Sequence, residues 1–413
     1  MKIAVFGLGY VGVVNIACLS ELGHELTGVD IKSSKVETVN AGNSPVFEPR
    51  VDEMIKNGVD TGKVNATSDA GVAIANSEMA IVCVGTPSDK DGKVNLNFTR
   101  NTIREIANEL VTKSKKGYCI VLRSTIPPST IRKLVIPILK EQLGNEYDSY
   151  GVRVAFIPEF LREGSAVKDF FEGKRIVVGS ADKARVSQID EVFGFSEKTP
   201  LVYVDFDTAE FVKYVDNTFH ALKVAFANEV YSIGDAYGVD IKAANDIFLM
   251  DDSLNISKRY LRPGAPFGGS CLPKDLRAVQ AMANDANEEI PLLNGVVESN
   301  RVHKDRFMNR ILEFVSKEDK VLIYGMTFKS NTDDTRESPF IEIAERLLDK
   351  GYNISIVDPS IKEVDFRINH SGLYNCWLGN SVDNWANFDK YVMFKSIQLD
   401  EVDASIDRIL NFS

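Results

Sequence analysis

Residues 1–6 form an apolar run of strand length, and residues 10–22 follow as a helix-length segment that stops at Gly23. Residues 25–30 read as a second strand, so the chain opens as strand, glycine turn, helix, strand. Later apolar runs at 79–84, 118–122 and 152–156 predict buried strands, with helical stretches between them, as at 99–114. Strands alternating with helices predict a parallel, doubly wound sheet. The middle of the chain changes character. From 208 to about 237, Phe211, Val212, Val215, Phe219, Leu222, Phe226 and Val230 recur every three or four positions. That spacing predicts one long helix of ~45 Å, enough to bridge two domains. More helix is predicted over 241–248. A strand at 320–324 ending in Gly325, a helix at 338–350 and a strand at 353–358 then restart the opening pattern without its glycine signature. Residues beyond about 360 read as less regular.

Composition narrows the class. The chain has 413 residues, 44% hydrophobic and 26% charged, which is the balance of a globular protein with two or three domains. Its net charge of −11 argues against a nucleic-acid partner but leaves room for a local basic pocket. No run of about 20 apolar residues predicts a membrane span. The apolar start runs into Gly7, Gly9 and Gly12 and has no cleavage site, so no signal peptide is expected. Cys18, Cys83, Cys119, Cys271 and Cys376 are scattered, as are the four histidines, His24, His220, His303 and His370. We therefore expect reduced thiols, a cytoplasmic location and no metal site.

Gly7-Leu-Gly-Tyr-Val-Gly12 is a G-x-G-x-x-G sequence set after a strand and at the opening of a helix. The first glycine makes the turn, and the second lets the backbone approach a pyrophosphate. The third lets helix and strand pack closely, while the helix N-terminus faces the negative charge. Asp30 ends the second strand, where a carboxylate binds ribose hydroxyls and repels the extra phosphate of NADP. NAD is the expected cofactor. The fold class predicted is α/β, with two Rossmann-like doubly wound domains joined by a long central helix and a helical middle domain. The expected boundaries are 1–205, 206–300 and 301–413. Lys35 either touches the adenosine end of the cofactor or is solvated. Thr86 in 85–87 and Thr125 in 123–127 sit at strand ends on the carboxyl edge, as cofactor or substrate contacts or as plain turn residues.

Residues 262–274, Arg-Pro-Gly-Ala-Pro-Phe-Gly-Gly-Ser-Cys-Leu-Pro-Lys, form a loop too rich in punctuation for a linker. Within it Cys271 has the setting of a nucleophile, with Lys274 and Asp275 close behind, whereas Cys18, Cys83 and Cys119 lie in apolar surroundings. A thiolate beside NAD can trap an aldehyde, and a second oxidation then makes a thioester that water hydrolyses. The pair therefore points to four-electron oxidation of a primary alcohol to a carboxylate. Glu159 and Glu163, four apart, would share a face on a helical turn and could activate the water. Lys213, Asn217 and Asn228 interrupt the apolar stripe of the long helix and could stabilise an oxyanion. Lys258, Arg259 and Arg262 with Tyr260, and Lys329 and Arg336 further on, either hold a diphosphate or form a solvated face.

Taken together these segments resemble the UDP-glucose/GDP-mannose dehydrogenase family. The marks are FGLGYVG at 6–12, VGTPS at 84–88, RSTIPP at 123–128 and PEFLREG at 158–164. FGGSCLPKD at 267–275 and FKSNTDDTRESP at 328–339 complete the set. The resemblance implies an NAD domain, a central helical domain that forms a homodimer, and a C-terminal domain for a nucleotide-sugar substrate. It implies Cys271 as the thioester-forming nucleophile, Lys213 and Asp275 as its assistants, Asn217 near the oxyanion and Glu163 or Glu159 serving hydrolysis. It places Thr125 near the nicotinamide and the water. Tyr10, Val11 and Thr86 join the glycines around the cofactor, and Lys274 and Arg336 match contacts that reach it across domains. It assigns the sugar nucleotide to Glu159, Phe160, Leu161, Lys213, Asn217, His220, Asn228, Arg259, Tyr260, Arg262, Phe267, Gly268 and Lys329. His220 and residues 254–264 resemble the GDP-mannose branch more than the UDP-glucose branch. Arg259 stands where that branch carries an aromatic residue, Ala265 is smaller than its counterpart, and the tail after 360 matches neither. The resemblance thus implies oxidation of GDP-mannose to GDP-mannuronate, with UDP-glucose or another UDP-sugar as the alternative. A non-catalytic nucleotide-binding protein is the remaining alternative.

Overall fold

The computed structural model describes residues 1–236, 238–252, 264–286, 290–329, 332–382, 384–394 and 408–412. The chain divides into two compact units, Met1–Val215 and Asp216–Ser413. In the first, the strands are β1 (Lys2–Phe6), β2 (Glu25–Val29), β3 (Val64–Thr67), β4 (Met79–Val82), β5 (Cys119–Leu122), β6 (Arg153–Phe156), β7 (Ile176–Ser180) and β8 (Leu201–Val204). They form one sheet in the order β3-β2-β1-β4-β5-β6-β7-β8. Alternate residues of β1 feed two cores. Ile3 and Val5 face the helix Tyr10–Glu21, and Ala4 and Phe6 face the opposite layer. Burial on both faces is why these strands read as continuous apolar runs.

The parallel sheet expected from the alternation holds for β1 to β6, but β7 pairs antiparallel with β6, and β8 runs parallel to β7. After β6 the chain does not cross over to the other end of the sheet. It makes a loop and the short helix Ala166–Glu172, then turns back beside β6. Residues 158–175 are thereby kept at the carboxyl edge, where an open α/β sheet binds its ligands.

The long helix is Phe206–Ala236, close to the predicted span. Near its start Glu210 is fully buried. One carboxylate oxygen accepts the Ile131 amide at 2.8 Å, and the other has no partner among the described residues. Burial lifts this carboxyl from the ordinary 4.5 to about 7. Its folded value lies above its unfolded one, so stability is lost as pH rises through that range. The group should remove ~3 kcal/mol between about pH 5 and pH 8. Glu210→Gln should therefore melt higher than the natural protein at about pH 8 and alike at about pH 5.

In the second unit the helices Ile241–Phe248, Leu272–Ala286 and Pro291–Phe314 precede a sheet. Its strands are β9 (Lys320–Tyr324), β10 (Asn353–Val357), β11 (Trp377–Gly379), β12 (Lys390–Met393) and β13 (Ile409–Asn411), ordered β11-β10-β9-β12-β13 and all parallel. The tail is thus more regular than its sequence suggests, with three of the five strands lying beyond 360. Phe412 stacks on Phe307 at 4.4 Å, which anchors the last strand in the core.

The two sheets repeat one local design. Gly7 (φ 98°) and Gly325 (φ 94°) each donate to the residue ending the neighbouring strand, Val29 at 2.7 Å and Val357 at 2.9 Å. Asp30 accepts Leu8 N at 2.8 Å and Lys32 N at 2.9 Å. Asp358 accepts Met326 N at 2.6 Å, Thr327 N at 3.1 Å and Ser360 N at 2.8 Å. The copies diverge after the glycine. A helix starts at Tyr10 in the first, whereas residues 326–338 intervene before the helix Pro339–Asp349 in the second.

Candidate active site

The three glycines of the turn are each placed for a different reason. A Cβ on Gly7 would lie 2.8 Å from the Cys83 carbonyl oxygen, and one on Gly12 only 1.8 Å from the Gly7 oxygen. Both are packing glycines. Gly9 has nothing within 4 Å of its Cβ position, so its backbone borders open space at the N-cap of the helix. That is the approach a pyrophosphate needs. Asp30 carries an ion pair to Lys35 at 3.6 Å, so Lys35 turns toward the carboxylate that ends the second strand. Tyr10 donates to Glu48, and Glu48 also accepts the amides of Gly164 at 2.6 Å and Ala166 at 2.7 Å. Burial and this carboxylate push the Tyr10 phenol far above its ordinary range. Val11 is half-buried beside it. Gly9→Val should keep the natural melting temperature and weaken NAD binding at least tenfold by calorimetry, an effect of ~1.4 kcal/mol or more. Gly12→Ala should fail to fold stably.

At the carboxyl edge Thr86 is buried and Thr125 half-buried. The segment 158–164 is not the helical turn its glutamate spacing suggests. It has no regular secondary structure from Pro158 through Arg162 and turns only at Glu163 and Gly164, so Glu159 and Glu163 do not share a helix face. Glu159 is buried and pairs with buried Lys213 at 2.9 Å while accepting Leu161 N at 2.7 Å. Lys213 also lies 5.6 Å from the Phe160 ring centroid. The lysine on the apolar stripe thus has the carboxylate partner that its burial demands.

In the second unit Cys271 is solvent-exposed immediately before the helix Leu272–Ala286, and its carbonyl accepts Asp275 N at 2.9 Å. A helix N-terminus favours an anion. The other thiols are placed differently. Burial pushes Cys83 and Cys119 up to about 12. Buried Asp275 accepts from Asn217 and lies 2.6 Å from Lys274.

The loop carrying Cys271 is fixed at several points. A Cβ on Gly268 would lie 2.5 Å from the Glu337 oxygen, and one on Gly269 2.7 Å from the Phe328 ring. The two glycines therefore press the cysteine loop onto the 328–339 segment, which joins two of the motifs read from sequence. Glu337 holds a left-handed φ of 49° and receives Arg277 through two bonds of 2.8 and 2.6 Å. The Phe267 amide and carbonyl are bonded to Asn300 at 2.9 and 2.8 Å. His303 bonds the Gly264 carbonyl at 2.8 Å, and burial holds its imidazole below the ordinary value. Asn228 accepts Gly264 N at 3.0 Å.

Sequence reading passed over Glu48, Arg277, Asn300 and His303. The last two carried a signal, because they break the apolar stripe Val296, Phe307, Ile311 of the helix Pro291–Phe314 at helical spacing. Arg336 is exposed and paired with Asp334 at 2.7 Å, Lys329 lies 5.2 Å from the Phe328 ring centroid, and His220 is half-buried. Lys258, Arg259, Tyr260 and Arg262 lie outside the described residues, as does most of 254–264.

The first unit thus carries an open glycine turn beside a strand-end carboxylate, the local form of a dinucleotide-binding α/β domain, and the second carries an exposed cysteine on a locked loop. Family models match along the chain: the UDP-glucose/GDP-mannose dehydrogenase NAD-binding domain over 1–195, the central domain over 207–302 and the UDP-binding domain over 322–394. The chain belongs to the UDP-glucose/GDP-mannose dehydrogenase family, whose members are NAD-dependent nucleotide-sugar dehydrogenases. It is 41% identical over 363 residues to GDP-mannose 6-dehydrogenase of Pseudomonas syringae pv. syringae, covering 88% of this chain and 82% of the relative. It is 35% identical to a UDP-glucose 6-dehydrogenase of Bacillus subtilis, covering 87% and 80%. Among solved structures, a UDP-glucose dehydrogenase from Pyrobaculum islandicum superposes with a TM-score of 0.86 at 31% identity, over 95% of this chain and 89% of that one. A GDP-mannose dehydrogenase ternary complex from Pseudomonas aeruginosa gives 0.59 at 34%, over 100% and 96%. No described helix is long and apolar enough to cross a membrane.

Proposed function

We propose that the protein oxidises the C6 alcohol of GDP-mannose to the carboxylate of GDP-mannuronate in two steps, through a thioester on Cys271. The observation that carries this is the exposed cysteine at a helix start, on a loop locked by two glycines that tolerate no side chain. Bound NAD supplies the hydride acceptor for each oxidation. In the first, the alcohol loses a proton and a hydride and becomes an aldehyde. The Cys271 thiolate then adds to the aldehyde carbon, and the thiohemiacetal loses a second hydride to become the thioester. Water adds to the thioester carbonyl and the thiolate leaves, giving the acid. The Lys213 ammonium and Asn217 amide stabilise the oxyanions, with Asp275 holding Asn217. Glu159, held by Lys213 and the Leu161 amide, or Glu163 on its turn serves as the base for water.

On this reading residues 1–205 bind NAD, 206–300 form the helical dimerisation domain, and 301–413 take the nucleotide, in a cytoplasmic homodimer. The identity to GDP-mannose relatives supports the mannose nucleotide. UDP-glucose is the second reading, favoured by the higher superposition on a UDP-glucose dehydrogenase. NADH release with each purified sugar nucleotide separates them. Turnover of GDP-mannose and none of UDP-glucose is expected, and the reverse would overturn the choice of substrate.

A further inference from the structure

A cavity of about 280 Å³ opens in the first unit beyond the ends of β5 and β6 and beside the start of β7. Arg123, Phe160, Arg162, Asp169, Lys174 and Phe193 line it. Its charges are unequally matched. Arg162 grips Asp169 through both carboxylate oxygens. Glu172, also in the wall, is drawn to Lys168 at 3.7 Å. Arg123 is only 5% exposed, yet no side-chain hydrogen bond or ion pair reaches it from the described residues, and its Nε is sealed without a partner. Its guanidinium lies 5.2 Å from the Phe193 ring centroid. Glu159 acts on it only at a distance, because that carboxylate is held by Lys213 at 2.9 Å and by Leu161 N at 2.7 Å. A buried guanidinium without an acceptor is costly, and here it faces a largely apolar cavity with Lys174 at the rim, whose acids Asp169 and Glu172 are each paired elsewhere.

We infer that this cavity binds a small phosphate-type oxyanion, inorganic phosphate or a phosphate monoester, with Arg123 as its principal ligand and Lys174 at its mouth. A guanidinium offers such an anion two parallel bonds. The site is separate from the glycine turn, which lies at β1, with β4 between it and β5. It is coupled to the reaction by chain connectivity. Arg123 stands two residues before Thr125, and Phe160 follows Glu159, so an anion here fixes the backbone of both segments.

Calorimetry and thermal melting with inorganic phosphate test this, at constant ionic strength and with NADH and the nucleotide sugar saturating, a combination that does not turn over. Phosphate should bind one site per chain and raise the melting temperature by about 2–4 °C. Arg123→Met should weaken binding at least tenfold and melt no lower than the natural protein without phosphate. Lys174→Ala, at an exposed position, should fold normally and weaken binding about threefold, and it decides the matter if Arg123→Met does not fold. No phosphate binding, equal binding by the variants, or competition with the nucleotide sugar would each overturn the assignment.

Discussion

Cys271→Ala should lower NADH formation from the nucleotide sugar by ~10³-fold or more, while NAD binding and the melting temperature stay as they were. The side chain is exposed, so its removal leaves no cavity. The loop keeps its fastenings, because Gly268, Gly269, the Asn300 pair and the His303 bond do not involve the sulfur. Steady-state kinetics beside a melting curve check this. A variant that stays folded and turns over within tenfold of the natural protein would remove the thiol from the chemistry.

Lys213→Met should cost about 3–5 kcal/mol of stability as well as activity. Both members of the Lys213–Glu159 pair are buried, and without the ammonium the carboxylate keeps, among the described residues, the Leu161 amide as its one hydrogen-bond partner. Adding Glu159→Gln to the same protein should return most of that stability, because an amide in this position carries no charge. Activity should not return, since the cation is still missing. Denaturant midpoints and turnover numbers of the single and double variants separate the two effects. If both recover together, the pair is only structural.

What was legible in the sequence was what is local. Gly7, Gly9, Gly12 and Asp30 carry their meaning within one βαβ unit, and the stripe from Phe211 to Phe226 announces the long helix by period alone. The reversal of β7 was not legible, because apolar strands look the same in either direction and only the short return through Ala166–Glu172 sets it. The strands of the tail are three or four residues long and owe their place to aromatic packing at Phe394 and Phe412. The spacing of Glu159 and Glu163 misleads because no helical turn forms there, and buried Lys213, far along the chain, holds Glu159 instead. Glu48 stayed hidden for a similar reason, its partners Gly164 and Ala166 being more than a hundred residues away.

The four-electron oxidation is tested most directly by the stoichiometry of NADH to uronic acid formed by the purified enzyme from a limiting amount of nucleotide sugar. A four-electron oxidation through a thioester gives two NADH for each sugar carboxylate. One NADH for each sugar, with an aldehyde as the accumulated product, would contradict it.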